Sequence, residues 1–111
     1  MVANRSAHRL FLAIEEFRKL DQTMPIQMMA TFLYIAQNSG RTMQETANDL
    51  GLSQASVSRN VAALTDWHSA KKEGHGLLKA VADPMEMRRK IVTLTDKGQR
   101  ALKRLNGIME Q

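Results

Sequence analysis

Residues 42–67, TMQETANDLGLSQASVSRNVAALTDW, decide the fold. Thr42 and Glu45 have the spacing of a capping box, in which the hydroxyl accepts the Glu45 amide and the carboxylate reaches back. They predict a short helix from Met43 to Leu50, closed by Gly51, whose tolerance of positive φ suits a tight turn. Ser53 then caps a second helix, from Gln54 to about Trp67. Two short helices separated by Gly51-Leu52-Ser53 form a helix-turn-helix. Ala47 is small where the two helices must cross closely, and Leu50, Leu52, Val57, Val61 and Leu64 supply the seam that sets their angle.

At about 100° per residue, Val57, Val61 and Leu64 cluster on one side of the second helix. Ala55 and Arg59 point almost opposite, flanked by Ser56, Ser58, Ala62 and Ala63. Residues 53–64 carry no acidic side chain, whereas an ordinary solvated helix face is rich in Glu/Lys pairs. A small, hydroxylic and basic surface suits insertion in a DNA major groove. Arg59 can fork to guanine O6 and N7, Gln54, Ser56 and Ser58 can reach base edges, and Ala55 can touch a thymine methyl.

Working outward, Leu77–Ala82 and Lys90–Leu94 have the composition of two strands joined through the turn at Asp83-Pro84. Arg88, Arg89 and Lys90 lie near the tip of this hairpin, spanning 77–94. Arg88 is placed to enter a minor groove, with Arg89 and Lys90 on phosphates. The competing reading is a charged turn that keeps a sheet edge soluble. Thr42 and Ser53 at the two helix starts, and Lys71 and Lys72 after the second helix, are further candidate phosphate contacts. The stretch 67–76 is polar and basic with two Gly, and reads as a loop or a frayed helix end.

Further out, residues 5–20 place Leu10, Phe11, Ile14, Phe17 and Leu20 at helical spacing. That stripe serves either core packing or a dimer contact. Thr23-Met24-Pro25 opens a helix that is apolar around most of its circumference, ended by Gly40. Residues 95–110 form a last helix, with Leu102, Leu105 and Met109 on its apolar side and Lys97, Arg100, Lys103 and Arg104 on its basic side. The order helix, helix, helix-turn-helix, hairpin, helix defines the expected fold class. It is mainly α with a small β-hairpin wing, a winged helix-turn-helix filling 1–111 as a single domain.

The bulk composition agrees. At 111 residues the chain allows one domain with a real core. It has no Cys, which excludes disulfides, thiol catalysis and Cys-ligated metal sites. No apolar run approaches the roughly 20 residues needed to span a bilayer, and the charged N-terminal stretch does not resemble a signal peptide. A soluble cytoplasmic protein is expected, with no membrane partner. Residues 1–70 hold six basic and six acidic side chains, so the whole net charge of +5 lies in 71–111. Such a one-sided field fits either a polyanionic partner or a solvated basic tail. His68, His75 and Glu73 are better explained as solvated loop residues than as metal ligands, and the eight Met as core filler. No catalytic constellation or Gly-rich phosphate loop emerges, so neither an enzyme nor a cofactor is expected.

TFLYIAQNSGRTMQETANDLGLSQASVSRNVAAL followed by DPMEMRRKIVTLTDKG resembles the MarR family of winged-helix transcriptional regulators. The matching residues are Leu50-Gly51-Leu52-Ser53, Val57-Ser58-Arg59, Asp83-Pro84, Arg88 and Leu94-Thr95-Asp96-Lys97-Gly98, and the likeness covers roughly residues 22–104. It implies a sequence-specific, dimeric DNA-binding regulator, usually a repressor, on a pseudo-palindromic operator. Four departures stand out. Glu86 replaces the Asp that steadies the wing Arg, and Asn60 occupies a normally apolar position of the recognition helix. The segment between Leu64 and Gly76 is about eight residues longer than usual. The sequence closes at Gln111, after about four turns of the first of two long C-terminal helices.

Homodimer contacts are therefore expected from Leu10, Phe11, Ile14 and Phe17 together with Leu102, Leu105 and Met109, without a phenolic-effector pocket. A small regulator of this kind fits a bacterial or phage-infected cell, at the nucleoid. The other classes left open are a winged-helix module that binds polymerase or another regulator, and a replication or architectural DNA binder.

Overall fold

The computed structural model describes residues 4–69 and 72–111. Helix α1 spans Arg5–Leu20, α2 Ile26–Gln37, α3 Met43–Leu50, α4 Gln54–Leu64 and α5 Asp96–Met109. Strands β1 (Arg41–Thr42), β5 (Lys90–Leu94) and β4 (Leu78–Ala82) form an antiparallel sheet in the order β1-β5-β4. A second, two-stranded sheet pairs β2 (Trp67–Ser69) with β3 (Lys72–Glu73).

The helix starts follow the local chemistry expected of them. Thr42 closes both halves of its capping box with Glu45, and Ser53 and Thr95 accept the amides of Ser56 and Gly98. Gly51 adopts φ +67° at the end of α3, the left-handed cap that lets α4 turn across it. Ala47 is 2% exposed, buried in the core where the two helices meet. The seam is as expected at its centre: Val57, Val61 and Leu64 are fully buried with Phe32 and Ile35 of α2, while Leu50 and Leu52 are half-buried. Phe17 of α1 packs edge-on against Phe32, with ring centres 6.0 Å apart.

The buried threonines of α2 and α3 are satisfied locally, whereas Thr93 Oγ1 is buried without a hydrogen-bond partner among the described residues. Thr31 and Thr46 donate their hydroxyls to the carbonyls of Gln27 and Thr42, one turn back. Asn60 donates from Nδ2 to Thr31 Oγ1 at 3.3 Å, bridging α4 to α2. Its departure from an apolar residue thus adds a polar link within the seam.

Two sequence expectations need correction, and one strand was not anticipated. Helix α4 stops at Leu64 rather than near Trp67, because the returning chain takes up its last carbonyls. The amides of His75, Leu77 and Gly76 donate to Ala63, Leu64 and Thr65 at 2.8–3.0 Å. A Cβ at Gly74 would lie 1.9 Å from the Thr65 carbonyl oxygen, so only glycine permits that close pass. Residues 67–69 and 72–73 accordingly pair as strands β2 and β3, and 75–77 are pinned to α4, rather than forming a loop or a frayed helix end. The two-residue strand β1 pairs Arg41 with Val92 and Thr42 with Ile91, anchoring the start of α3 to the wing.

The base of the wing is fixed against α5 in a similar way. Thr95 donates its amide to the Leu77 carbonyl and its hydroxyl to the Gly76 carbonyl. A Cβ at Gly98 would stand 2.1 Å from the Leu77 oxygen. The glycine of the Leu-Thr-x-x-Gly motif is thus a packing requirement, letting the first turn of α5 lie directly on the start of β4. Among the described residues, no helix is long and apolar enough to cross a membrane.

Candidate nucleic-acid interface

Helix α4 presents its front because its back is fully committed. With Val57, Val61 and Leu64 buried, Gln54, Ala55, Ser58 and Arg59 are exposed and Ser56 is half-buried. Two residues placed on this face from the sequence belong elsewhere. Ala63 is buried and Ala62 half-buried, since the segment returning through His75 covers that end of the helix. The usable face is therefore the first two turns of α4. Across it, the Ser53 hydroxyl donates to Ser56 Oγ at 3.0 Å, and Arg59 Nη2 donates to the same oxygen at 3.3 Å. This short relay lays the guanidinium along the helix, pointing towards its start.

The wing meets that start across a groove of about 280 Å³, lined by Thr42, Met43, Gln44, Gln54, Arg88, Arg89 and Lys90. Five expected contact residues (Thr42, Gln54, Arg88, Arg89 and Lys90) thus border one concavity, while Ala55, Ser56, Ser58 and Arg59 continue from it along α4. Among the described residues, Arg88 and Lys90 have no ion-pair partner. Arg89 pairs with Asp83 at 3.3 Å but keeps most of its side chain exposed. Asp83 thus steadies Arg89, whereas Arg88, the residue that matches the motif arginine, has no carboxylate partner among the described residues, Glu86 included.

Thr42 lies at the groove but is 7% exposed, with its hydroxyl accepting the Glu45 amide, so it forms floor rather than a projecting arm. Hydrogen bonding from the Thr42 amide and hydroxyl, with Arg41 beside it, holds the Glu45 carboxyl below its ordinary value. One turn further along α3, the Tyr34 hydroxyl donates to Asp49, and that carboxylate raises the phenol above its ordinary value. Met43 and Gln44 line the groove although neither was singled out from the sequence. The capping box was a usable signal, since it places both in the first turn of α3.

Other expected residues stand apart. Lys71 lies outside the described residues, as does the side chain of Lys72. Ser53 is exposed at the start of α4. His75 sits 3.7 Å from Asp21, and the side chain of His68 lies outside the described residues. Two cations of α5 serve the fold: Lys97 donates to the His75 carbonyl at 2.8 Å, and Arg104 pairs with Glu16 at 3.1 Å. The Glu16 carboxyl is held below its ordinary value, by Lys19 first and Arg104 second.

The expected dimer residues divide. Phe17 and Leu105 are buried in the chain's own core, where α1 packs on α5 beneath Phe32, so neither is free to pair with a second copy. Leu10, Phe11, Ile14 and Met109 are exposed, and Leu102 is half-buried.

No protein-family model and no curated protein sequence matches the chain. Solved structures do match it in fold. The chain is 21% identical to MarR, with a TM-score of 0.67, covering 94% of this chain and 68% of that one. For MepR of S. aureus, described as a DNA complex, identity is 19%, the TM-score 0.72 and the coverage 94% and 78%. For the transcriptional repressor CouR, bound to a 23-mer DNA duplex, the values are 23%, 0.65, 95% and 70%. Across such solved chains this one spans 66% to 79% of their length. The fold of this chain is the winged helix of the MarR-type transcriptional regulators, as the sequence motifs imply.

Proposed function

We propose that this chain is a sequence-specific, double-stranded DNA-binding transcriptional regulator that acts as a homodimeric repressor. The observation that carries the reading is the groove: the acid-free front of α4 and the cationic wing border one concavity. A recognition helix in the major groove brings Gln54, Ala55, Ser58 and Arg59 to base edges. The wing then lies over the flanking minor groove, with Arg88 inserted and Arg89 and Lys90 on the phosphates. Ser53, and Lys71 and Lys72 beyond α4, are assigned to phosphate. That MepR and CouR were solved with DNA on the same fold supports the class of partner.

The second copy is assigned to Leu10, Phe11 and Ile14 of α1 with Leu102 and Met109 of α5, the expected dimer residues that the chain's own core leaves exposed or half-buried. A two-fold dimer places half-sites about one helical turn, roughly 10 bp, apart on one face of the duplex. No catalytic role, metal or small-molecule effector is assigned, and the site of action is the cytoplasm, at the nucleoid.

Selection of bound fragments from a random duplex library tests the reading. The expected result is an enriched pseudo-palindrome retained at nanomolar protein, with a dimer mass in solution. Absence of DNA retention at micromolar protein and physiological salt would contradict it and favour a protein-interaction module.

A further inference from the structure

Two of the eight methionines lie where neither core packing nor phosphate contact uses them. Met85 is 90% exposed and Met87 73% exposed, at the tip between β4 and β5. Other methionines behave as core filler: Met24 is 5% exposed, and Met28, Met29 and Met43 pack against the buried cluster. The tip itself is firmly built. Asp83 donates its amide to the Arg89 carbonyl at 2.9 Å, and its Oδ1 accepts the Met85 amide at 2.9 Å. Glu86 donates to the Asp83 carbonyl, Arg89 to the Glu86 carbonyl, and the Asp83–Arg89 ion pair closes the loop. Two consecutive turns thus hold Met85 and Met87 outward on either side of Glu86, next to exposed Pro84 and Arg88.

Turn tips ordinarily carry Gly, Asn, Asp or Ser, which suit the backbone and stay in water. A tip built only to grip phosphate would carry cations. This one sets Asp83 and Glu86 against Arg88, Arg89 and Lys90, a net charge of only +1. Its electrostatic hold is modest, and the interaction that its composition adds is apolar. Apolar side chains carried into a minor groove by flanking cations act as wedges, partly unstacking a base step and kinking the duplex.

We propose that Met85 and Met87 form such a wedge, inserting at a base step of the minor groove beside each recognition site. The inference rests on the DNA-binding reading above and deepens it. It also predicts which sequences the wing prefers without any hydrogen bond to a base: pyrimidine–purine steps such as TA or CA, which unstack and bend most easily.

The test uses the selected duplex with 2-aminopurine placed singly through the flanks, and with end labels for distance. Wild-type protein is expected to raise the fluorescence at one step per half-site and to bend the duplex by at least roughly 20°. The Met85→Ala/Met87→Ala variant should keep its fold, because both side chains are exposed. It should lose the fluorescence rise and the bend, and bind roughly tenfold more weakly. Met85→Leu/Met87→Leu should retain all three. Retained DNA with no fluorescence rise, or an alanine variant that matches wild type, overturns the wedge and leaves the DNA-binding reading intact. A wild-type protein that retains no duplex overturns both.

Discussion

Helix α4 and the wing border the same groove but are positioned by opposite means. Helix α4 is held from behind by Val57, Val61 and Leu64, all at or near zero exposure, and by Asn60 reaching across to Thr31. Its front inherits that rigidity without making contacts of its own beyond the Ser53–Ser56–Arg59 relay. The wing tip has no core behind it. Its shape comes from backbone turns and one ion pair, between an exposed Arg89 and a largely covered Asp83. The front of α4 carries one charge, Arg59, whereas the wing carries three cations and two acids from Asp83 to Lys90. A rigid, nearly neutral helix suits base discrimination, which needs fixed donors. A locally built, charged wing suits phosphate contacts, which every duplex offers, and a response to how easily the duplex deforms rather than to base edges.

The contrast is broken most severely from behind the helix. Leu64→Ala removes a fully buried side chain at the seam and should cost about 2–5 kcal/mol of unfolding free energy, measured by urea titration. A comparable loss of affinity at temperatures where the variant is still folded would show that helix orientation is set by this packing. Asp83→Ala acts on the wing alone. It removes the Arg89 ion pair and the acceptor for the Met85 amide, yet global stability should fall by less than about 1 kcal/mol. Hydrogen exchange should show faster exchange at Met85, with unchanged protection in α4. Loss of protection in α4 would mean that the two regions are not independent.

The smallest effect concerns the capping box that anchors the groove floor. The folded-state value of Glu45 is depressed, so the native state binds fewer protons than the unfolded state, and stability rises with pH. Its contribution is fully present above the ordinary value of 4.5 and is lost as the pH falls through the lower folded value. Glu45→Gln should therefore flatten the stability profile in that acid window and leave the profile near neutrality parallel to wild type.

Much of this arrangement was legible from residues 42–67 and 77–98, because each step there is local chemistry. The Thr42–Glu45 box, the Gly51 turn, the Ser53 cap and the three-residue apolar repeat of α4 fix two helices and their relative face. What escaped depends on contacts distant in sequence. The end of α4 is set by amides of residues 75–77, which no pattern within the helix signals. Residues 67–69 and 72–73 pair as strands although they lack β-branched side chains, next to a return segment at 75–77 that is bonded to the end of α4. The two-residue β1 is too short to carry a periodicity. Phe17 and Leu105 share their helical stripes with exposed neighbours, so spacing alone could not separate core from contact surface. Composition likewise gave no reason to set Met85 and Met87 apart from buried methionines, since exposure at a turn is a property of the fold.

The central claim, that α4 discriminates while the wing grips, is tested most directly by titrating Arg59→Ala and Lys90→Ala against the selected duplex and a scrambled one over a range of salt. Arg59→Ala should cost about 1–3 kcal/mol on the selected duplex and little on the scrambled one. Lys90→Ala should weaken both equally and lower the salt slope by about 1. Equal losses on both duplexes for Arg59→Ala, with an unchanged slope for Lys90→Ala, would contradict the account.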